Sequence, residues 1–241
     1  MKIGGGCASD IGSVRKVNQD AVCCRLFNRR KESIALCAVC DGVGGLEHGE
    51  MASSLLVECM KEWFEELMSW LDFSKTDPEV LFSHLKDAAE SWNEEVCRLS
   101  QSQNIKTGST MSLLLLVQQR YYIVHVGDSR IYRYRKDTLE QLTVDDSVAR
   151  LKDGQMKSYL NNYMGKQDQL WFQALAGDIE KEDIFMLCSD GLYHHLIQAD
   201  IEMLRDKHWR KDINRFCVNM IQSMIERGEK DNISVCVVIA E

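Results

Sequence analysis

Five aspartates occupy similar positions along the sequence, each at the edge of a short apolar run and beside a glycine, an asparagine or a polar bend. They are Asp20, Asp41, Asp128, Asp190 and Asp231. A carboxylate at the end of a buried strand is unfavourable unless a positive charge lies against it. Five such groups, far apart in sequence, therefore predict one oxygen-rich site assembled by the fold. Clustered carboxylates suit the hard cations Mg²⁺ and Mn²⁺ better than zinc.

The strand that leads to Asp41 is the element around which we expect the others to assemble. Residues 34–45 form a run of small and β-branched apolar residues that stops at Asp41 and three glycines. This pattern predicts a buried strand followed by a turn with a backbone conformation that glycine adopts at low cost. Taken alone, an aspartate beside glycine is also ordinary turn chemistry, so the argument depends on the set.

Six segments in order resemble those of metal-dependent protein phosphatases of the type 2C serine/threonine family, and more closely its bacterial branch. They are Ser-Asp-Ile-Gly-Ser-Val-Arg-Lys-Val-Asn-Gln-Asp at 9–20, Asp-Gly-Val-Gly-Gly at 41–45, Gly-Ser-Thr at 108–110, Gly-Asp-Ser-Arg at 127–130, Ser-Asp-Gly-Leu at 189–192 and Asp-Asn-Ile-Ser at 231–234. The resemblance implies hydrolysis of phosphoserine and phosphothreonine on proteins. A water shared by two metal ions would attack phosphorus, so no side-chain nucleophile is required.

The resemblance also implies a ligand set for the two Mn²⁺ or Mg²⁺ ions. Asp41 would bridge both ions, and the carbonyl of Gly42 would bind the second. Asp190 and Asp231 would hold the first ion, while Asp20 would support the second directly or through water.

The expected catalytic residues are Asp41, Asp190 and Arg15. Arg15 matches the phosphate-binding arginine of the family, and its guanidinium fork suits phosphate oxygens. Asp128, together with Asp190, resembles the pair that holds a third, weaker ion in bacterial relatives. Asn232 is expected to orient the aspartate before it.

Two departures from the family pattern leave other interpretations open. Gln19 stands where the family commonly has glutamate. Its neutral amide can still accept from metal-bound water, but it would bind the second ion with less charge. The flap-like segment near residues 145–170 is short for the family. One alternative is therefore a weak or inactive relative that binds phosphoproteins as a regulator. Another is a structural cation-binding fold without phosphate recognition.

The order of predicted elements indicates an α+β fold. Strands come first, followed by helices at about 50–71 and 78–99, more strands, two further helices and a final strand. We predict a four-layer αββα sandwich of two mainly antiparallel sheets flanked by helix pairs, as one domain over residues 1–241. On the first helix, Met51, Leu55, Cys59, Trp63 and Leu67 are expected to face the core.

We expect a cytoplasmic monomer, and the resemblance implies that it acts on phosphorylated proteins. The chain of 241 residues carries a net charge of −8, which argues against nucleic acid or an anionic membrane as partner. It contains neither a run of about 20 apolar residues nor an apolar signal-peptide core at its beginning. By resemblance, the substrates would be targets of a bacterial serine/threonine kinase.

The ten cysteines are expected to be free thiols in a reducing compartment. Cys37 and Cys40 form a Cys-x-x-Cys pair, but an odd separation on a strand directs the two side chains to opposite faces. A zinc site would also need a second ligand pair at similar spacing, which the sequence lacks. We expect these cysteines, and the adjacent Cys23 and Cys24, to be small core residues.

Overall fold

A computed structural model describes residues 1–29, 32–43, 46, 48–72, 75–152, 155–168 and 170–241. Two five-stranded sheets form its centre. The first has the order β1-β12-β11-β6-β7, and the second has the order β10-β5-β4-β3-β2. The strands of the first sheet are β1 (Ile3–Asp10), β6 (Arg130–Arg135), β7 (Thr138–Gln141), β11 (Ile184–Cys188) and β12 (Ile233–Ala240). Those of the second are β2 (Asp20–Arg29), β3 (Glu32–Asp41), β4 (Met111–Val117), β5 (Arg120–Val126) and β10 (Gln173–Asp178).

Helices cover the outer face of each sheet. The long helices α1 (Gly49–Trp70) and α2 (Pro78–Gln103) pack on the second sheet. On the first sheet pack α3 (Asp190–Tyr193), α4 (Gln198–Met203), α5 (Ile213–Glu226) and a 3₁₀ helix (His208–Lys211). The described strand pairs within both sheets are antiparallel. The predicted α+β fold with two mainly antiparallel sheets is therefore confirmed.

The apolar run of β3 is continuous because both of its faces are covered. Ile34, Leu36 and Cys40 point towards α1 and α2, whereas Ala35 and Cys37 point towards the other sheet. All five are fully buried. A strand in this position needs apolar side chains on both faces, which explains why its sequence does not alternate.

The face of α1 that meets the sheet agrees with the prediction only in part. Ala52, Leu56 and Met60 are fully buried, whereas Met51 and Leu55 are half-buried. Steps of four residues advance by about 400° around a helix, so each step drifts by about 40°. A stripe of four such steps therefore drifts around the helix. The prediction is confirmed for Trp63 and Leu67, which are buried in the core, whereas Leu55 and Cys59 are half-buried and pack against its edge.

The segment near residues 145–170 contains a two-stranded hairpin that the sequence did not suggest. It consists of β8 (Ser147–Lys152) and β9 (Gln155–Leu160), paired antiparallel. Residues 153, 154 and 169 of the predicted flap-like segment lie outside the described residues. The hairpin ends at Leu160, which lies beside the candidate site described next.

Candidate active site

Two of the predicted aspartates are cross-strand neighbours. Asp20 opens β2 and lies directly opposite Asp41, the last residue of β3. The side chain of Asp20 is buried, and neither of its carboxylate oxygens has a hydrogen-bond partner among the described residues. Burial raises the pKa of Asp20 to about 6, because the charged form loses hydration, and the nearby charge of Asp190 adds to this increase.

The Gly-Ser-Thr segment at 108–110 fixes the backbone of Asp41. The amide of Asp41 donates to the hydroxyl of Thr110 at 2.9 Å, and its carbonyl accepts from the hydroxyl of Ser109 at 3.0 Å. The Thr110 hydroxyl also lies 2.8 Å from that of Ser129. Burial raises the pKa of Asp41 well above its usual range, and the nearby charge of Asp20 adds to this effect.

The turn that carries Asp128 is held by the loop after β7. The carboxylate of Asp146 accepts from the amide of Gly127 at 3.1 Å, and the amide of Asp146 donates to the carbonyl of Gly127 at 2.7 Å. Arg130 forms a two-pronged contact with Asp145, with a shortest distance of 2.7 Å. Burial, followed by the charge of Asp190, raises the pKa of Asp128 to about 6.

Asp190 and Asp231 flank the ends of two adjacent strands. Asp190 begins α3 just after β11, and Asp231 comes just before β12. Gly191 allows the close approach of these segments, since a Cβ atom there would lie 2.2 Å from the carbonyl oxygen of Asn232. Burial raises the pKa of Asp190.

Arg15 reaches the same place from the loop between β1 and β2. Its guanidinium donates to the carboxylate of Asp231 at 2.5 Å, with the two side chains 44% and 35% exposed. The side chain of Asn232 anchors this loop, accepting from the amide of Gln19 at 2.8 Å and donating to the carbonyl of Ile11 at 2.8 Å. Asn232 contacts Asp231 through its backbone amide, which donates to the carboxylate at 2.8 Å. Its amide side chain therefore orders the loop that carries Arg15.

Gln19 joins the site to the start of α1. Its carbonyl accepts from the amide of Gly42 at 3.0 Å and from the hydroxyl of Ser53 at 2.6 Å. Its side-chain amide donates to Glu50 at 3.3 Å. The backbone approach is tight, because a Cβ atom on Gly42 would lie 2.5 Å from the carbonyl carbon of Gly49. These contacts seat the first turn of α1 against the end of β3.

One pocket of about 120 Å³ gathers most of the predicted site residues. Asp20 lies beside it through its pairing with Asp41. Besides the predicted residues, the side chains of Val43, Thr110 and Leu160 contribute to the lining. The predicted residues that line it are Arg15, Gln19, Asp41, Gly42, Asp128, Asp190, Asp231 and Asn232.

The donors around this pocket fit hard divalent cations. They are carboxylate and carbonyl oxygens, and the unpartnered oxygens of buried Asp20 are of the kind that a cation would satisfy. The carboxylates surround the pocket rather than meet at one point. Within the described part of the chain, the one group of three ligand atoms lying within 4.8 Å of one another consists of cysteines elsewhere.

Several contacts around the pocket were not predicted from the sequence. Glu50 meets Gln19, and its only sequence signal was an acidic residue in the first turn of a helix. Leu160 comes from the unpredicted hairpin. His48, at the start of α1, is not among the residues that line the pocket, and its ring lies 3.3 Å from Glu50. Gly44 and Gly45 of the predicted turn lie outside the described residues.

The family model for protein phosphatase 2C matches residues 13–234. The chain belongs to this family. The phosphatase 2C assignment made from the six segments is thus confirmed, and with it membership of a family of protein phosphatases. Among the described residues, the helices include none long and apolar enough to cross a membrane.

Individual relatives agree with the phosphatase 2C assignment. The serine/threonine phosphatase stp of Listeria innocua is 26% identical over 246 residues, covering 95% of this chain and 93% of that protein. The serine/threonine phosphatase of Streptococcus agalactiae has the same fold, with a TM-score of 0.81 at 24% identity over 99% of this chain and all of the other. The catalytic domain of PstP in complex with two manganese ions matches with a TM-score of 0.75 at 22% identity, over 99% of each chain.

Proposed function

We propose that this chain is a metal-dependent protein phosphatase that hydrolyses phosphoserine and phosphothreonine, built as one domain over residues 1–241. The observation that carries the proposal is the pocket in which separate elements place four carboxylates and the guanidinium of Arg15 together. A carboxylate cluster alone would repel a phosphate dianion. The same cluster with bound cations would attract it.

The metal ligands are proposed residue by residue. Asp41 would contribute to both of two Mn²⁺ or Mg²⁺ ions, Asp190 and Asp231 to the first, and Asp20 and the carbonyl of Gly42 to the second. Support comes from the pairing of Asp20 with Asp41 and from the unpartnered oxygens of Asp20. Asp128, beside Asp190, would complete a third, weaker site. The two manganese ions of the PstP complex support the number and kind of ions.

The ions, when bound, lower the pKa of a coordinated water and withdraw charge from the phosphate. The chain's own residues then position the substrate. Arg15 offers two N–H groups to phosphate oxygens, and the anchoring of its loop by Asn232 limits the positions it can take. Thr110 keeps Asp41 at the pocket through the hydrogen bond from the Asp41 amide. Gln19 orders the beginning of α1 and can accept from metal-bound water.

The proposed substrates are phosphorylated proteins, including targets of a bacterial serine/threonine kinase. The serine/threonine phosphatase stp of Listeria innocua supports this class of substrate. Leu160 at the end of the β8–β9 hairpin lies at the pocket, so the hairpin is placed to contact residues around the phosphate. We further propose that the chain acts as a monomer in the cytoplasm, consistent with its ten free thiols.

The direct test is phosphate release from a phosphothreonine peptide by the purified chain with Mn²⁺ and with a chelator. We expect turnover with Mn²⁺ and none with chelator. Turnover that persists in chelator would contradict the proposal. Binding of the phosphopeptide without release would instead identify a phosphoprotein-binding regulator, which Gln19 in place of glutamate would favour.

A further inference from the structure

Four cysteines from four strands meet in the layer between the two sheets. Cys24 of β2 lies directly opposite Cys37 of β3, and Cys7 of β1 lies directly opposite Cys236 of β12. One pair belongs to each sheet, and the pairs face each other across the core. Sequence spacing could not show this arrangement, because each cysteine comes from a different strand.

The sulfur atoms of three of these residues lie close together. Those of Cys24, Cys37 and Cys236 are all within 4.8 Å of one another, and those of Cys24 and Cys37 are 3.7 Å apart. In a tetrahedral zinc site with Zn–S bonds of about 2.3 Å, the sulfurs are about 3.8 Å apart. Only small shifts separate this cluster from that geometry.

We propose that Cys24, Cys37 and Cys236 form a binding site for a thiophilic d¹⁰ cation, of which Zn²⁺ is the representative, with Cys7 as a fourth ligand at its rim. Hereafter these four residues are the thiol cluster. Soft thiolate ligands favour Zn²⁺ over the hard cations expected at the carboxylates. Binding by the three central thiols would release three protons to solvent and leave a Zn(Cys)₃ group of charge −1.

The surroundings of the thiol cluster suit such a site. Cys37 and Cys236 are fully buried, whereas Cys7 and Cys24 are partly exposed and provide a route for the ion. Gly5 makes room for the cluster, because a Cβ atom there would lie 2.9 Å from the sulfur of Cys24. Hydrogen bonds from Cys236 and Cys37 lower the pKa of the Cys24 thiol to about 4, whereas the pKa of Cys236, which donates to Cys24, and that of Cys37 lie well above their usual range, so an ion would displace the protons of those two thiols. Thiolate, rather than thiol, is the form that binds metal.

The thiol cluster is separate from the carboxylate pocket. Cys24 and Cys37 lie four residues along β2 and β3 from Asp20 and Asp41, or about 13 Å at 3.3 Å per residue. An ion here would link strands of both sheets and stabilise their packing. The proposal therefore stands independently of phosphatase activity.

The test uses the full chain, reduced and stripped of metal, titrated with Co²⁺ as a spectroscopic substitute for Zn²⁺. A thiolate-to-cobalt charge-transfer band should grow to one equivalent, since cobalt bound to carboxylates gives no such band. Zn²⁺ should then remove the band by displacement. The band should be lost in Cys24→Ser and kept in Cys97→Ser, a half-buried cysteine of α2 outside the cluster. Absence of the band in the wild type, or its retention in Cys24→Ser, would overturn the proposal.

A second measurement uses only the wild type, in case Cys24→Ser does not fold. Bound Zn²⁺ should slow alkylation of Cys24 at least tenfold and leave that of Cys97 unchanged, as read by peptide mass mapping. Zinc at a hundredfold excess over its Kd should also raise Tm by roughly 5 to 10 °C. Equal alkylation with and without zinc, or a Cys24–Cys37 disulfide in the reduced preparation, would contradict a metal site.

Discussion

Asp20 and Asp41 lie directly opposite each other at the end of two adjacent antiparallel strands. Like charges in this position destabilise a sheet, and burial of Asp20 increases the cost. The arrangement is therefore unfavourable for the metal-free chain. It becomes favourable when cations lie between the carboxylates, so it links metal binding to the stability of this edge of the sheet.

Replacing Asp41 with asparagine should have opposite effects on activity and on stability. We expect Asp41→Asn to lower kcat by about a thousandfold, because a ligand shared by both proposed ions loses its charge. In chelator, the same variant should be more stable than the wild type by about 1 kcal/mol or more, because a buried like-charge contact is relieved. Phosphopeptide turnover and urea unfolding provide the two readings.

The matched control is Asp87→Asn, at an exposed position on α2. It should change neither rate nor stability. An Asp41→Asn variant that keeps more than a tenth of the wild-type rate would contradict the role assigned to this carboxylate.

The stability of the metal-free protein should fall as pH rises from about 4 to about 6. The pKa of Asp20 and that of Asp128 are each raised from 3.8 to about 6. The folded state therefore binds more protons than the unfolded state in this window. Linkage then makes the free energy of unfolding decrease with pH through this window, and the raised pKa of Asp41 extends the decrease to higher pH. Asp20 and Asp128 each account for about 2 to 3 kcal/mol of this decrease.

Urea unfolding in chelator between pH 4 and 7 measures this effect. Asp20→Asn and Asp128→Asn should each have a shallower decrease than the wild type, since one of the carboxylates with a raised pKa is absent. Curves that run parallel to that of the wild type would show that these carboxylates titrate normally in the folded chain.

Arg15→Ala should weaken the binding of phosphorylated substrate more than it affects folding. We expect KM for a phosphopeptide to rise about 10- to 100-fold, the range for losing hydrogen bonds between charged groups. Stability should change by less than about 1 kcal/mol, because Arg15 and its partner Asp231 are 44% and 35% exposed. The KM of Arg15→Lys should lie between those of the wild type and Arg15→Ala, because lysine keeps the charge but lacks the planar fork of donors.

The control for this series is Lys16→Ala, which removes an exposed positive charge from the next position. It should leave KM within about twofold. Equal effects of Arg15→Ala and Lys16→Ala would mean that the loop contributes general charge rather than a phosphate contact.

Thr110→Val should separate positioning of Asp41 from general stability. The valine side chain has nearly the same shape but cannot accept from the Asp41 amide. We expect a loss of about 1 to 3 kcal/mol in stability together with a decrease in kcat on the order of tenfold. Ser112→Ala, two residues further on in β4, removes a comparable buried hydrogen bond, to His125 at 2.9 Å. That variant should be destabilised to a similar extent with kcat unchanged, and a similar loss of kcat in both would contradict a specific role for Thr110.

The sequence identified the pocket because its aspartates adjoin glycine, asparagine or a polar bend at strand ends. This local pattern can be recognised without knowledge of the fold. The order of the six segments then indicated the family and the roles of the residues. The contacts between distant segments could not be predicted from the sequence. Asn232 was expected to orient its neighbour, but its side chain also bonds to Ile11 and Gln19, more than 200 residues away. The residues next to Asn232 in the sequence do not indicate these hydrogen bonds.

Strands that depend on tertiary pairing were the main omission. Strand β10 has the sequence Gln-Ala-Leu-Ala-Gly-Asp, and several of its side chains are exposed. It is an edge strand defined by its hydrogen bonds to β5 rather than by an apolar pattern. The β8–β9 hairpin was not predicted because its sequence also lacks a clear apolar pattern.

The cysteines illustrate a different limit. The argument that Cys37 and Cys40 face opposite sides agrees with their positions in two separate cores. The same argument could not reveal that Cys37 faces Cys236 of the other sheet, because sheet-on-sheet packing is not encoded in local spacing.

The central claim is that five aspartates distant in sequence bind cations together. A crystal structure grown with excess MnCl₂, with anomalous scattering recorded at the manganese edge, tests it most directly. We predict two strong anomalous peaks, about 3.5–4 Å apart, with Asp41 between them. Asp190 and Asp231 should contact one ion and Asp20 should lie beside the other. A map with no manganese among these carboxylates would contradict the account.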